Sequence, residues 1–333
     1  MNTFMNQNKN DTFSSLRGVD LQDLLVEINN NLLEYRNTLN LPKDVTFGVE
    51  IEYEKVSKTR VTNFIKDNLS TWTSKEDFSL YSGGEVSSPI MSDEISYWQE
   101  LKTICEYLSS NKADTKHNAG GHVHIGANII EDDVEAWKYF LKLYTAYESV
   151  IFRFAYGDKL SGRKKLLKYA PPISDSIYKR ISKINDATTV LELKDYLPTY
   201  HKYFALNFCN IDAFELRSKE ERLNTLEFRS PNATTNEVIW QNNINTFSKM
   251  LLSAKDKVMN MDFLDYKLGH EYVYYLKNEY LYNNINLKNA LEFVDLVFDN
   301  NIDKMYFLRQ YLKDFKNNYN FKGAVSIKRF VKR

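Results

Sequence analysis

The sequence predicts an α+β fold in one compact unit with a helical C-terminal portion. Two observations predict it. Several short segments alternate apolar and polar residues with a period of two, the pattern of a strand with one face in a core. They are "FGVEIEYE" (47–54), "GGHVHIGAN" (120–128), "KYFALNFCNI" (202–211) and "NTLEFRSPNA" (224–233). Around them run longer segments with apolar residues at helical spacing. No internal repeat and no linker divides the 333 residues, so helices packed on one face of a sheet are the simplest architecture.

Taken in order, residues 1–15 are polar and are expected to be disordered. "LQDLLVEINNNLLEYRNTL" places Leu21, Leu24, Leu25, Ile28, Leu32 and Leu33 on one helical stripe, ended by Leu41-Pro42. A strand follows, with Phe47, Val49, Ile51 and Tyr53 on one face and Glu50, Glu52 and Glu54 on the other. "RVTNFIKDNL" suits a short helix. "TWTSKEDFSLYSGGEVSSPI" suits short strands punctuated by Gly83-Gly84. Helices are predicted over 92–109 and 132–156, the second opened by acidic residues that complement its dipole. Residues 157–200, with Gly157, Gly162, Pro171 and Pro172, read as an irregular loop with a short helix near 189–196. From Asn236 onward the chain is mainly helical.

Composition removes several functions. Forty-four basic residues balance 44 acidic ones, so nothing global argues for nucleic acid or an anionic membrane. Two cysteines, Cys105 and Cys209, without a CxxC, make neither a disulfide framework nor a thiolate zinc site, and suit the cytoplasm. Neither a secretory signal nor a transmembrane run is expected from the sequence.

Three strands share an unusual pattern. Glu50 and Glu52 flank Ile51, His122 and His124 flank Val123, and Glu227 and Arg229 flank Phe228. Residues two apart point to the same side of a strand, so each pair forms a polar face opposite an apolar one. Glu85 follows two glycines and is a fourth candidate. If these strands share a sheet, one face collects four carboxylates, two imidazoles and a guanidinium. Like charges at that density need a cation, and carboxylate oxygens with imidazole suit Mg²⁺ or Mn²⁺. Such ions commonly arrive with substrate phosphates, to which Arg229 could pair. Each fragment alone has an ordinary explanation. An E-x-E is usually a solvated edge, and an E-x-R a cross-strand ion pair.

"FGVEIEYE", "EDFSLYSGGEVSSPI", "NAGGHVHIGAN", "KYFALNFCNI" and "NTLEFRSPNATTN", in that order, resemble the amidoligase family. That family belongs to the glutamine synthetase and glutamate–cysteine ligase superfamily of carboxylate–amine ligases. The resemblance runs from about Val45 to about Trp240. It implies a curved antiparallel β-sheet of glutamine synthetase catalytic-domain type, with helices on its outer face. It implies ATP and Mg²⁺ (or Mn²⁺) as cofactors. The implied reaction is amide or isopeptide bond formation through an acyl-phosphate. By motif position it implies Glu50, Glu52, Glu85, His122 and Glu227 as metal ligands, and Arg229 as a phosphate contact. His124 is implied near metal or phosphate, Arg163 in "SGRKKLLKYAPPI" as a substrate or phosphate contact, and Asn207 as a binding residue. The domain expected on this basis spans 16–260, with a helical extension over 261–333. Expected substrates are small-molecule or peptide carboxylates and amines, including cell-wall peptides or proteins. Two other readings stay open: a zinc amidohydrolase, which needs nitrogen ligands beyond the H-x-H, and a non-catalytic binding protein on the same scaffold.

Overall fold

In the computed structural model, residues 4–31, 33–115, 118–156, 169–199, 202–216, 218, 223–256, 260–272 and 285–313 are described. Arg163, His117, His201 and most of the tyrosine-rich 271–282 segment lie outside them.

Six strands form one open, antiparallel sheet. They are β1 (Phe47–Glu54), β2 (Thr73–Lys75), β3 (Gly83–Ser87), β4 (Gly121–Gly126), β5 (Leu206–Asn210) and β6 (Thr225–Phe228). Their spatial order is β2-β3-β1-β4-β6-β5. The strands with charged pairs are therefore central neighbours: β4 lies between β1 and β6.

One face of the sheet is apolar. Val49, Ile51, Val86, Val123, Ile125, Leu206, Leu226 and Phe228 are all buried there. The period-two alternation leaves no other register, since a slip of one residue would put the glutamates into this core. The helices are α1 (Gly18–Asn30), α2 (Lys58–Asn68), α3 (Ile95–Ser110), α4 (Val134–Ala155), the short α5 (Ser174–Tyr178), α6 (Ile181–Asp186) and α7 (Val190–Leu193), then α8 (Glu237–Asp256), α9 (Met261–Lys267), α10 (Leu287–Val297) and α11 (Asn301–Tyr311). Phe228 of β6 stacks on Phe247 of α8, with ring centroids 4.0 Å apart. Helix α4 is buried on nearly every side, packed against α5 and α8–α11, and Asp133 caps its start by accepting from the amides of Glu135 and Ala136.

Two glycines allow the central strands their close approaches. A Cβ on Gly83 would lie 1.8 Å from the Tyr53 carbonyl oxygen, and one on Gly121 would lie 2.6 Å from the Trp240 ring.

Three expectations from the sequence differ from the structure. The first helix ends at Asn30 rather than continuing through Leu39. The Asn31 side chain donates to the Glu27 carbonyl at 2.8 Å, a local bond that competes with the helix. Beyond it the Arg36 backbone exchanges two hydrogen bonds with the Gln241 side chain, so tertiary pairing holds this stretch non-helical. Residues 4–15, expected to be disordered, are anchored instead. Phe13 is fully buried, and the amides of Phe13 and Ser14 donate to the Asp295 carboxylate. The polarity of that segment concealed one aromatic anchor and a carboxylate partner about 280 residues away. The strand foreseen across 202–211 is confined to Leu206–Asn210.

Candidate active site

The second face of the sheet gathers the charged pairs, and strand register sets how. Glu50 stands opposite His122, His124 opposite Glu227, Glu227 opposite Asn207, and Glu52 opposite Glu85. The patch floors a cleft of about 570 Å³, whose walls include Asp77, Phe78, Asn118, Tyr169, Lys202 and Tyr203.

The two histidines are held alike. His122 Nδ1 lies 2.8 Å from Glu50 Oε2, and His124 Nδ1 lies 3.4 Å from Thr225 Oγ1. In both, Nε2 is buried and has no hydrogen-bond partner among the described residues. A buried nitrogen left without a partner is costly, unless it is a ligand whose other ring nitrogen is anchored. Here Nδ1 of each ring has a partner and Nε2 is left open.

Carboxylates converge on those nitrogens. Glu50 Oε1 and Glu227 Oε1 lie 3.6 and 4.0 Å from His124 Nε2, and Glu52 Oε1 lies 3.6 Å from His122 Nε2. Among the described residues, three groups have donor atoms within 4.8 Å of one another: Glu50–His124–Glu227, Glu50–Glu85–His122 and Glu52–Asp77–Glu85. Oxygen-rich sets with one imidazole or none suit a hard divalent cation. The residues present therefore fit such an ion.

Neighbouring groups tune these acids. Burial works against ionisation of Glu50, but the His122 hydrogen bond and the charges of His122 and His124 hold its carboxyl far below the ordinary range. Burial likewise opposes ionisation of Glu227, and the charges of His124, Arg229 and His122 outweigh it, so its pKa is lowered. Glu85 is pushed the other way, by burial and then by Glu50. Burial disfavours a charged His124, yet the nearby Glu50 and Glu227 carboxylates raise its pKa.

Supporting contacts fix the set. Arg229 pairs closely with Glu227 Oε1. Asn207 donates to Glu227 Oε2 at 2.5 Å and accepts from the Cys209 amide at 2.9 Å, which makes it a positioner of Glu227. Glu52 accepts from the Gly120 amide. Glu54, on the same strand face, instead ties down loops by accepting from the Tyr81 amide and the Asn118 side chain.

The structure thus brings together Glu50, Glu52, Glu85, His122, His124, Asn207, Glu227 and Arg229. Asp77 and Lys75 are among the cleft residues that escaped the sequence reading. Asp77 lies in the loop before β3, and Lys75, on the edge strand β2, lies 2.7 Å from Glu85 and 3.7 Å from Glu50. The only signal for Asp77 was its place in "EDFSLYSGGE", ahead of Glu85. Lys75 gave none. His270 does not line the cleft; it stacks on Tyr266. Both cysteines are buried, and burial pushes the Cys105 thiol well up.

The sequence profile of the amidoligase enzyme family matches residues 65–251, more than half of the chain. The chain belongs to the amidoligase family. The matched region carries β2–β6, and hence all of the amidoligase patch except Glu50 and Glu52 on β1. A search of curated proteins finds no match. No helix among the described residues of this amidoligase is long and apolar enough to cross a membrane.

Proposed function

We propose that this amidoligase-family protein is an ATP-dependent carboxylate–amine ligase, working on a sheet of glutamine synthetase type. The observation that carries the reading is the convergence of four glutamates, two histidines and Arg229 on one face of adjacent strands. Phosphoryl transfer is mostly a matter of positioning and charge neutralisation, which such a surface is built to provide.

Glu50, Glu52, Glu85, His122 and Glu227 would hold Mg²⁺ or Mn²⁺. When bound, that ion neutralises phosphate oxygens of ATP. Arg229, oriented by Glu227, pairs with an oxygen of the transferring phosphoryl group. His124 lies between Glu50 and Glu227 and serves metal or phosphate through Nε2. Asn207 keeps Glu227 aimed. Arg163 is proposed as a further phosphate or substrate contact on motif position alone.

In the reaction, a substrate carboxylate oxygen attacks the γ-phosphorus, the bond to the β–γ bridging oxygen breaks, and ADP leaves. The amine then attacks the acyl carbon, the bond to the phosphate oxygen breaks, and the amine proton departs with inorganic phosphate. The cleft admits a small-molecule or peptide carboxylate. Its aromatic and basic rim residues, Phe78, Tyr203 and Lys202, are suited to an extended acceptor.

The hydrolase reading gains no third histidine among the described residues of the cleft. The test is a panel of amino-acid and peptide carboxylates with ATP, Mg²⁺ and hydroxylamine as a surrogate amine. The proposal expects hydroxamate in step with ADP for at least one carboxylate, lost in Glu227→Ala. ADP release that ignores the carboxylate, or hydroxamate formed without ADP, would contradict it.

A further inference from the structure

Lys75 lines the cleft and has no part in the proposed chemistry. It stands directly opposite Glu85 in the β2–β3 register, and Glu85 stands opposite Glu52 in the β3–β1 register. The ammonium therefore lies at the outer end of this row, 2.7 Å from the buried Glu85 and 3.7 Å from the half-buried Glu50 of the neighbouring position on β1. Two of the three groups able to hold a cation include Glu85, and one of them also includes Glu50. The third, Glu50–His124–Glu227, has no atom from Glu85. Its carboxylates meet Arg229 and the two histidines as well as Lys75's weaker contact with Glu50.

We propose that Lys75 is an exchangeable counter-ion which competes with a divalent cation for the Glu85 carboxylate, making the outer part of the site weaker and later to fill than the inner part. This inference rests on the cation-binding reading of the same site. The physical basis is a contrast between partners. Glu85 is 5% exposed, so an uncompensated negative charge beside Glu50 is costly there. The Lys75 side chain is 59% exposed on an edge strand and can swing into water when a second cation takes its place. An ion pair with one half-exposed partner is weak enough to be displaced. A lysine is a flexible point charge, whereas an arginine would hold the carboxylate in a fixed fork. With the cation seated, the freed ammonium stays at the cleft wall, within reach of an anionic ligand.

The experiment is a Mn²⁺ titration without nucleotide, read by calorimetry and by the free-ion electron paramagnetic resonance signal. It uses the full-length wild type, Lys75→Met, Lys75→Arg and Glu227→Gln, with thermal melting as a check on folding. The expected result is a weak second binding event in the wild type that tightens by about tenfold or more in Lys75→Met, as loss of an adjacent positive charge requires. It should stay weak in Lys75→Arg, and the tighter event should be unchanged in both and lost in Glu227→Gln. Equal affinities in wild type and Lys75→Met overturn the proposal, as does weaker binding in a folded Lys75→Met protein. If neither wild type nor Lys75→Met binds Mn²⁺ at all, the cation-binding reading fails together with the inference. Equal binding in the two sinks only the inference.

Discussion

Asn207 and Glu227 face each other across β5 and β6, and the Asn207 amide donates to the Glu227 carboxylate at 2.5 Å. With Arg229 on the other oxygen, Glu227 is gripped from both sides although it is almost wholly buried. Its freedom to turn is gone before any ligand arrives, which is what a preorganised ligand requires. Asn207→Ala should lower divalent-cation affinity about 10–100-fold, the range for loss of an outer-shell partner. Its cost in folding should be about 1–3 kcal/mol, for one buried acceptor left unmatched. Mn²⁺ titration and urea unfolding measure the two effects separately. An Asn207→Ala protein with unchanged metal affinity would remove the positioning role.

Glu85 is expected to make the metal-free protein less stable near neutral pH. Its folded pKa is raised above 4.5 by burial and by Glu50. A raised carboxylate contributes most below the unfolded value, and that contribution is lost as pH rises through the folded one. Glu85→Gln should therefore raise the melting temperature at pH 7.5 without divalent cation, and the gain should shrink toward pH 4. Lys75 loses a partner in this variant, but a half-exposed pair contributes little. Melting curves across that range, with and without Mg²⁺, decide the matter.

His124 and Glu227 titrate in opposite senses. The lowered Glu227 pKa contributes stability above its unfolded value near 4.5, and this is lost as pH falls through the folded one. The raised His124 pKa contributes below 6.5, and this is lost as pH rises through the folded one. Metal-free stability should accordingly be best between these two values, and His124→Ala should flatten the alkaline decline. Because a cation needs the Nε2 lone pair, binding at pH 6.5 should release a proton. Calorimetry in two buffers of different ionisation enthalpy would detect it, and identical heats would argue against His124 as a ligand.

Phe228 serves the opposite face of the same strand. It is fully buried and stacked on Phe247, so Phe228→Ala should cost about 3–5 kcal/mol. Glu52→Ala, on the polar face, should cost far less stability and far more ligand binding. Parallel denaturant curves and ligand titrations would show whether the two faces separate as the alternation of the strands says.

That alternation is why so much of the site is legible in the sequence. A period of two assigns Glu50, Glu52, His122, His124, Glu227 and Arg229 to strand faces without any knowledge of neighbours. Strand order is different: β1 lies between β3 and β4, and β6 between β4 and β5. Alternation is local and carries nothing about which strands pair. Lys75 and Asp77 stayed hidden for that reason. The strand β2 is three residues long, too short to show a period, and Asp77 lies in the loop between β2 and β3, where there is none. The end of α1 at Asn30 and the anchoring of Phe13 depend on Gln241 and Asp295, partners more than 200 residues distant.

The central claim is that the polar face of the sheet binds nucleotide through a divalent cation. The most direct measurement is calorimetric titration of a non-hydrolysable ATP analogue into the protein with Mg²⁺ and with EDTA, for wild type and Glu227→Ala. The account predicts binding that needs Mg²⁺ and disappears in Glu227→Ala while the variant remains folded. Absence of binding under every metal condition, or binding indifferent to both EDTA and the substitution, would contradict it.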